Sequence, residues 1–144
     1  MVNESIVIKK GVELEIEVQS LAYGGMGLAK VDDFVVFVKN GIPGQRVLVL
    51  IYKKKKGFAE ARIIKVLEQS PFATEARCDH YWICSKLQTL SYEEQLKEKE
   101  KQVVDAFQRI GGFTDFTING VKSAENKYNY RNKMEFTFSP HRWI

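Results

Sequence analysis

Cysteine, histidine and proline are scarce in this chain: two, two and three residues among 144. Two cysteines cannot build a disulfide framework, so reduced thiols in a cytoplasmic protein are the expectation. With two histidines, neither in a recognisable motif, no nucleophile–base–orienter set stands out. Walker and Rossmann fingerprints are absent. The longest apolar runs, such as Val47-Leu48-Val49-Leu50-Ile51, have strand length and fall far short of the roughly 20 residues that a membrane helix needs. The start, Met1-Val2-Asn3-Glu4-Ser5, has no basic n-region and no apolar h-region, which argues against a secretory signal. There is no internal repeat, and no low-complexity tract beyond four lysines.

What is present is ordinary in bulk and uneven in placement. A 44% hydrophobic, 28% charged composition suits one soluble domain or two small ones. The net charge of +4 only weakly favours an anionic partner. Placement says more, because Lys53, Lys54, Lys55 and Lys56 are consecutive.

Residues 11–68 read as short strands. Val12, Leu14, Ile16 and Val18 alternate with Glu13, Glu15, Glu17 and Gln19, the period of a half-buried strand. Tyr23-Gly24-Gly25-Met26-Gly27 is a glycine-rich turn. Residues 28–31 and 34–38 are strands around an Asp32-Asp33 turn. Asn40-Gly41-Ile42-Pro43-Gly44 is a further turn. Residues 46–53 and 58–66 flank the lysines as a hairpin. Five strands without a helix predict a small β-barrel of oligonucleotide-binding type.

Gln69-Ser70-Pro71 breaks this pattern. Ser91 and Glu94 form a Ser-x-x-Glu capping box, predicting a helix over 92–110. Leu96, Val103, Phe107 and Ile110 make its apolar stripe, and Gly111-Gly112 ends it in a left-handed cap. Residues 133–139 alternate again, with Met134, Phe136 and Phe138 on one face, as a strand. The fold class is therefore a mainly β five-stranded barrel (residues 1–68) followed by a partial α+β region (residues 69–144) with one long helix.

Each notable cluster has two readings. The lysine run could neutralise phosphates, or it could be a solvated loop that keeps an edge strand from pairing. Tyr23, Phe34, Phe37, Tyr52 and Phe58 lie on or near the barrel strands, and single-strand-binding barrels join a basic groove to stacking rings. Some of these rings must be core, since alternation sends Phe34 and Phe37 to opposite faces or nearly so. The Gly24–Gly27 run lacks dinucleotide spacing and leads into a strand, so it reads as a turn with close backbone approach. Cys78 and Cys84 are candidate ligands for zinc or an iron–sulfur cluster, with His80 a possible third. They fall short of a closed tetrahedral site, and the alternative is a pair of small, partly buried thiols.

In order along the chain, these pieces match a family. Ser20-Leu21-Ala22-Tyr23-Gly24-Gly25-Met26-Gly27-Leu28-Ala29, Val36-Phe37-Val38, Pro43-Gly44-Gln45-Arg46-Val47 and Ala59-Glu60-Ala61 resemble a TRAM domain, a small RNA-binding barrel of oligonucleotide-binding type. The rest resembles the segment after TRAM in the S-adenosylmethionine-dependent RNA (uracil-5-)-methyltransferases. There a Cys-x5-Cys-Gly-Gly-Cys-x-x-Gln run precedes a Tyr-x-x-Gln-Leu-x-x-Lys helix. Tyr92, Gln95, Leu96 and Lys99 match that helix, and Tyr130-Arg131-Asn132-Lys133 matches the family's Tyr-Arg-Asn-Lys strand. TRAM alone is shared with methylthiotransferases, whereas the ordered combination is specific.

Cys78 and Cys84 match the first two cluster cysteines of that run, but the Gly-Gly pair is missing and Ser85 stands in the third position. The resemblance therefore implies a remnant motif with no iron–sulfur cluster and no metal. The family's donor site, nucleophilic cysteine and general base lie in a C-terminal Rossmann-like domain that residues 1–144 do not reach, and neither cysteine here matches the nucleophile. The implied protein is the RNA-binding N-terminal part of a methyltransferase, inactive alone and monomeric, that forms 5-methyluridine in rRNA or tRNA, with rRNA preferred. Its RNA contacts would be Tyr23, Lys53, Lys54, Lys55, Lys56, Phe58 and Arg62, with Arg131 and Lys133 in the second part, where a surface-charge reading competes. The rivals are a stand-alone RNA-binding module and a metal- or redox-sensing protein using Cys78 and Cys84.

Overall fold

Alternation along residues 13–17 becomes strand β1 (Glu13–Glu17), whose glutamates face outward while Leu14 and Ile16 are buried. The computed structural model describes residues 8–81, 85–130 and 133. Five more strands follow: β2 (Ser20–Leu21), β3 (Gly27–Val31), β4 (Phe34–Lys39), β5 (Arg46–Lys54) and β6 (Phe58–Glu68). They form one sheet in the order β1-β5-β6-β4-β3-β2. All neighbours run antiparallel except β4 and β6, which are parallel.

The sheet curls closed because its two edges are one piece of chain. β1 pairs with β5 and β2 with β3, and only Val18 and Gln19 separate β1 from β2. The Val18 amide donates to Gln45 O at 2.9 Å, and the Gln19 amide donates to Leu28 O at 2.8 Å. One bent strand thus bonds both sides. Counted that way, the six strands are the five expected from the sequence, and the two-residue β2 is the arm beyond the bend.

Inside, small and branched residues alternate across the strands. Ala29 faces Val36, which faces Ala59. Val38 faces Ala61, which faces Ile51. All six have no exposed surface, the interdigitation that fills a narrow barrel. Gly27 marks a close backbone approach in the barrel: a Cβ there would stand 2.8 Å from both Gly41 O and Val18 Cγ1. Asp32 and Asp33 both have positive φ, 47° and 64°, as a two-residue hairpin turn of mirror type requires.

The second part is bolted to the barrel at its first residues. Gln45 Nε2 donates to Gln69 Oε1 at 2.7 Å, and Ser70 Oγ donates to Pro43 O at 2.5 Å. Leu90, 1% exposed, packs with Leu21 and Ile42, with Ala73 and Leu87 around them.

Helix α1 (Tyr92–Asp105) continues as a π-helical turn, Ala106–Ile110, where the sequence suggested one uniform helix. The Gly111 amide reaches back five residues to Ala106 O at 2.9 Å, and the Phe113 amide reaches Phe107 O at 3.0 Å. Phe113 and Phe116 gather on Phe107 at centroid distances of 5.7 and 5.3 Å. The returning chain widens the last turn, and Gly112 supplies the left-handed residue at φ 68°.

Two helix expectations need correction. The Ser91 hydroxyl accepts the Glu94 amide at 3.4 Å, but Ser91's own amide goes to Phe72 O. Only half the capping box forms, and the Glu94 carboxylate pairs with Lys97 at 3.0 Å instead. The expected apolar stripe is not the docking face either. Val103, Phe107 and Ile110 are 42%, 44% and 87% exposed, whereas the buried helix residues are Glu94 and Glu98. The reason is what the helix covers. Edge strand β2 presents backbone groups that need partners, and α1 supplies them one turn apart. Glu98 Oε2 accepts the Leu21 amide at 2.7 Å, and Gln102 Nε2 donates to Leu21 O at 3.4 Å. The strand expected over 133–139 lies outside the described residues, apart from Lys133.

Candidate nucleic-acid interface

The β5–β6 hairpin carries Lys53 and Lys54 at the end of β5 and Lys55 and Lys56 in the turn that follows. All of residues 53–56 are exposed, and the turn is closed by the Lys55 amide donating to Phe58 O at 2.8 Å. The four are not equivalent. Lys53 is paired with Glu60 at 2.5 Å. Lys54 Nζ stands 5.8 Å from the Phe34 ring centroid. Lys55 and Lys56 make no ion pair among the described residues. Tyr52 adds a second donor to Glu60 at 2.9 Å. The hydrogen bond from Lys53, then that from Tyr52, holds the Glu60 carboxyl below its ordinary pKa. Burial, then the bond to Glu60, raises that of Tyr52.

Strand register shows what shares the outer face with the hairpin. Residues directly opposite each other point the same way. Lys30, Val35 and Phe58 make one row, Leu28, Phe37 and Glu60 the next, and Lys39, Arg62 and Leu50 a third. Phe37 and Phe58 meet edge to face at 5.5 Å and 75°. Lys30, Lys39 and Arg62 are exposed around them, and the described residues offer none of the three an ion-pair partner. The opposite edge is acidic: Glu13, Glu15 and Glu17 lie outward on β1, and Arg46 is occupied by Glu15 and Glu68. The face is therefore basic and aromatic on β3, β4 and β6, and acidic at β1.

The sequence-predicted residues divide accordingly. Lys53, Phe58 and Arg62 share this face, whereas Lys54 pairs with buried Ala59 and stands against Phe34 on the inner side of the sheet, and Lys55 and Lys56 lie exposed in the turn. Tyr23, 94% exposed, is not on this face: it sits in the β2–β3 turn beside Gly27, and Gly27 pairs with Val38 at the end of the β3–β4 ladder away from Val31 and Phe34. Lys133 is exposed, and Arg131 lies outside the described residues. Phe37, Lys30 and Lys39 were not singled out as contacts in the sequence. Alternation alone could place them on the outer face, but only the register with β6 puts them beside Phe58 and Arg62.

The cysteine loop is organised by Gln88. Its Oε1 accepts the amides of Arg77 at 2.7 Å and Cys78 at 3.2 Å, and its Nε2 lies 3.8 Å from Cys78 Sγ. Cys78 is exposed and unbridged, and Cys84 lies outside the described residues. Among the described residues no three His, Cys, Asp or Glu side chains gather as a metal site.

A model of the TRAM domain matches residues 8–64. A Bacillus cereus protein bearing the name uncharacterized RNA methyltransferase is 41% identical over 130 residues, 89% of this chain and 28% of its own length. One of the same name from Clostridium tetani is 39% identical over 137 residues, 92% of this chain and 29% of its own. A third, from Porphyromonas gingivalis, is 39% identical over 131 residues, 90% and 28%. A conserved Methanococcus maripaludis protein of known solution structure is 32% identical, matching 44% of this chain and 93% of its own at a TM-score of 0.40. This chain spans somewhat more than a quarter of the length of the curated relatives it matches. Residues 8–64 thus match a TRAM domain, in a chain that is similar along about nine-tenths of its length to proteins named RNA methyltransferases.

Proposed function

We propose that this chain is the RNA-binding N-terminal part of an S-adenosylmethionine-dependent RNA (uracil-5-)-methyltransferase that forms 5-methyluridine, in rRNA rather than tRNA. The observation that carries the reading is the basic, aromatic outer face of the TRAM barrel. Ammonium and guanidinium groups there would neutralise phosphates, and Phe58 beside Phe37 would offer a stacking surface. The relatives' names support a methyltransferase parent. Uracil-5 chemistry rests on the motif resemblance around Cys78, Tyr92 and residues 130–133. In that reading residues 1–68 hold RNA, residues 69–144 begin the region that cradles its loop, and the methyl donor binds elsewhere in the parent. The piece alone is a monomeric, inactive, cytoplasmic RNA binder.

Binding of a labelled single-stranded RNA across a salt series tests this. Changing Lys53, Lys54, Lys55 and Lys56 together to alanine should weaken binding about tenfold near physiological salt. Each phosphate contact contributes about 0.7 to the salt slope on a single strand. Lys53 is already engaged by Glu60 and Lys54 sits over Phe34, so the slope should fall by about 1–2 rather than by four full contacts. An unchanged slope would make the run a solubilising loop.

Glu60 gives a second, opposite test. It is an anion on the proposed RNA face that competes with phosphate for Lys53. Glu60→Gln should tighten RNA binding by roughly twofold to fivefold at neutral pH, in line with the modest value of an exposed ion pair. The carboxyl is held below its ordinary range, so the native ion pair persists through neutral pH and is lost only as pH falls through that depressed value. Native and variant affinities should therefore converge only in acid. Equal affinities at pH 7 would remove Glu60 from the interface.

A further inference from the structure

Tyr23 was left apart from the lysine face, and its surroundings have a chemistry of their own. It lines a cleft of about 440 Å³ between the β2–β3 turn, Lys86 and helix α1, and with Lys99 and Gln102 it also lines a second hollow of about 340 Å³. The turn that thrusts the ring out is built on Gly24 and Gly25, at φ 90° and 82°, a left-handed backbone that other residues adopt at a cost. Lys86 lies along that turn: its Cβ would be 3.6 Å from a Cβ on Gly25, and its Nζ donates to Gly24 O at 3.3 Å. Lys99 enters from the helix, exposed and without an ion pair among the described residues.

The acceptors in the cleft are also set. Gln95 Nε2 is used by Leu87 O at 2.9 Å and Leu90 O at 2.8 Å, and Gln102 Nε2 by the carbonyls of residues 21 and 22 at 3.4 Å. Each amide is held by its nitrogen, which leaves its oxygen available to a ligand's N–H. The carboxylate in the wall, Glu98, is already occupied by the Leu21 amide and by Lys101, so it does not oppose an anion.

We infer that this cleft binds one unstacked nucleotide of single-stranded RNA, with its base on the Tyr23 ring and its phosphate between Lys86 and Lys99. The Gln95 and Gln102 oxygens accept from the base edge. The inference rests on the RNA-binding reading and adds to it a second contact, at the other end of the barrel from the lysine hairpin. A ring nearly fully in water, two ammonium groups without an ion pair among the described residues, that of Lys86 lying on Gly24 O, and two amide oxygens fit a nucleotide's aromatic face, anionic phosphate and N–H donors together. An acidic peptide would use the lysines and ignore the ring. The volume lies within the range of small-ligand sites.

The test is binding of a fluorescein-labelled twelve-nucleotide oligouridylate to the full chain, with an RNA duplex of equal length as comparator. Tyr23→Ala should weaken the single strand roughly 5- to 150-fold, the range for loss of one stacked base, while Tyr23→Phe stays near wild type and duplex binding is unmoved. Changing Lys86 and Lys99 together to alanine should lower the salt slope by about 0.7, the contribution of the one phosphate they share. Tyr23 is exposed, so melting temperature should not move with its replacement. If Tyr23→Ala binds like wild type while the four-lysine variant is weakened, the cleft is no nucleotide site and the barrel-face reading stands. If the lysine pair matters and the ring does not, the occupant is an anion without a base. If the wild-type chain binds no oligouridylate at measurable strength, both readings fall.

Discussion

Leu90→Ala is expected to cost about 2–5 kcal/mol of stability, the largest effect of any single truncation at the joint between the barrel and the helix. Leu90 is 1% exposed and stands between Leu21 at 5% and Ile42 at 2%. Those three residues come from the β2 edge, the β4–β5 loop and the segment before the helix, so the truncation leaves a void that no single element can collapse to fill. Urea unfolding followed by far-ultraviolet circular dichroism is the measurement. The variant should show a lower midpoint. A loss below about 1 kcal/mol would mean that the site relaxes and that the joint is held by its polar bonds instead.

Those polar bonds have their own expected result. Glu98→Ala should cost about 2–3 kcal/mol, the range for removing a hydrogen bond to a charged group and stranding a buried donor. The donor is the Leu21 amide, 2.7 Å from Glu98 Oε2, in a strand that has no neighbour on that side. The other carboxylate oxygen pairs with Lys101 at 2.5 Å, where the lysine is 58% exposed and the glutamate 2%, so water screens the pair from the lysine's side only. Glu98→Gln keeps an acceptor for the amide and should recover most of the loss. Lys101→Ala should cost less than Glu98→Ala, because the Leu21 amide keeps its acceptor. If instead Lys101→Ala matched Glu98→Ala, the ion pair rather than the edge bond would be what matters.

The barrel could be read from the sequence because its strands are half-buried and its turns carry their own chemistry. Alternation of Leu14 and Ile16 with glutamates, an Asp-Asp pair able to take positive φ, and glycines at sharp bends each point to one local structure. The helix face could not be read that way. An apolar stripe predicts which side is buried when burial is apolar, and here the helix was recruited to satisfy backbone groups. Glu98 and Gln102 look like surface residues until β2 is known to be an edge. The candidate interface divides along the same line. The lysines and Phe58 announce themselves in the sequence, but Lys30, Lys39 and Phe37 join them only through strand register. The cleft at Tyr23 needed the turn, Lys86 and the helix brought together from positions far apart in the chain.

The seal on β2 also has a history in time. The Leu21 amide finds its acceptor 77 residues further along the chain, whereas the partners of every other strand are contained within residues 13–68. During synthesis at about 5–20 residues per second, the barrel can close its ladders once residue 68 has emerged and still wait roughly 1.5–6 s for Glu98. For that interval it offers an open hydrogen-bonding edge to any extended chain nearby. Short as it is, at two residues, β2 gives little purchase to such a chain, so its brevity protects the nascent protein before the helix arrives to do so.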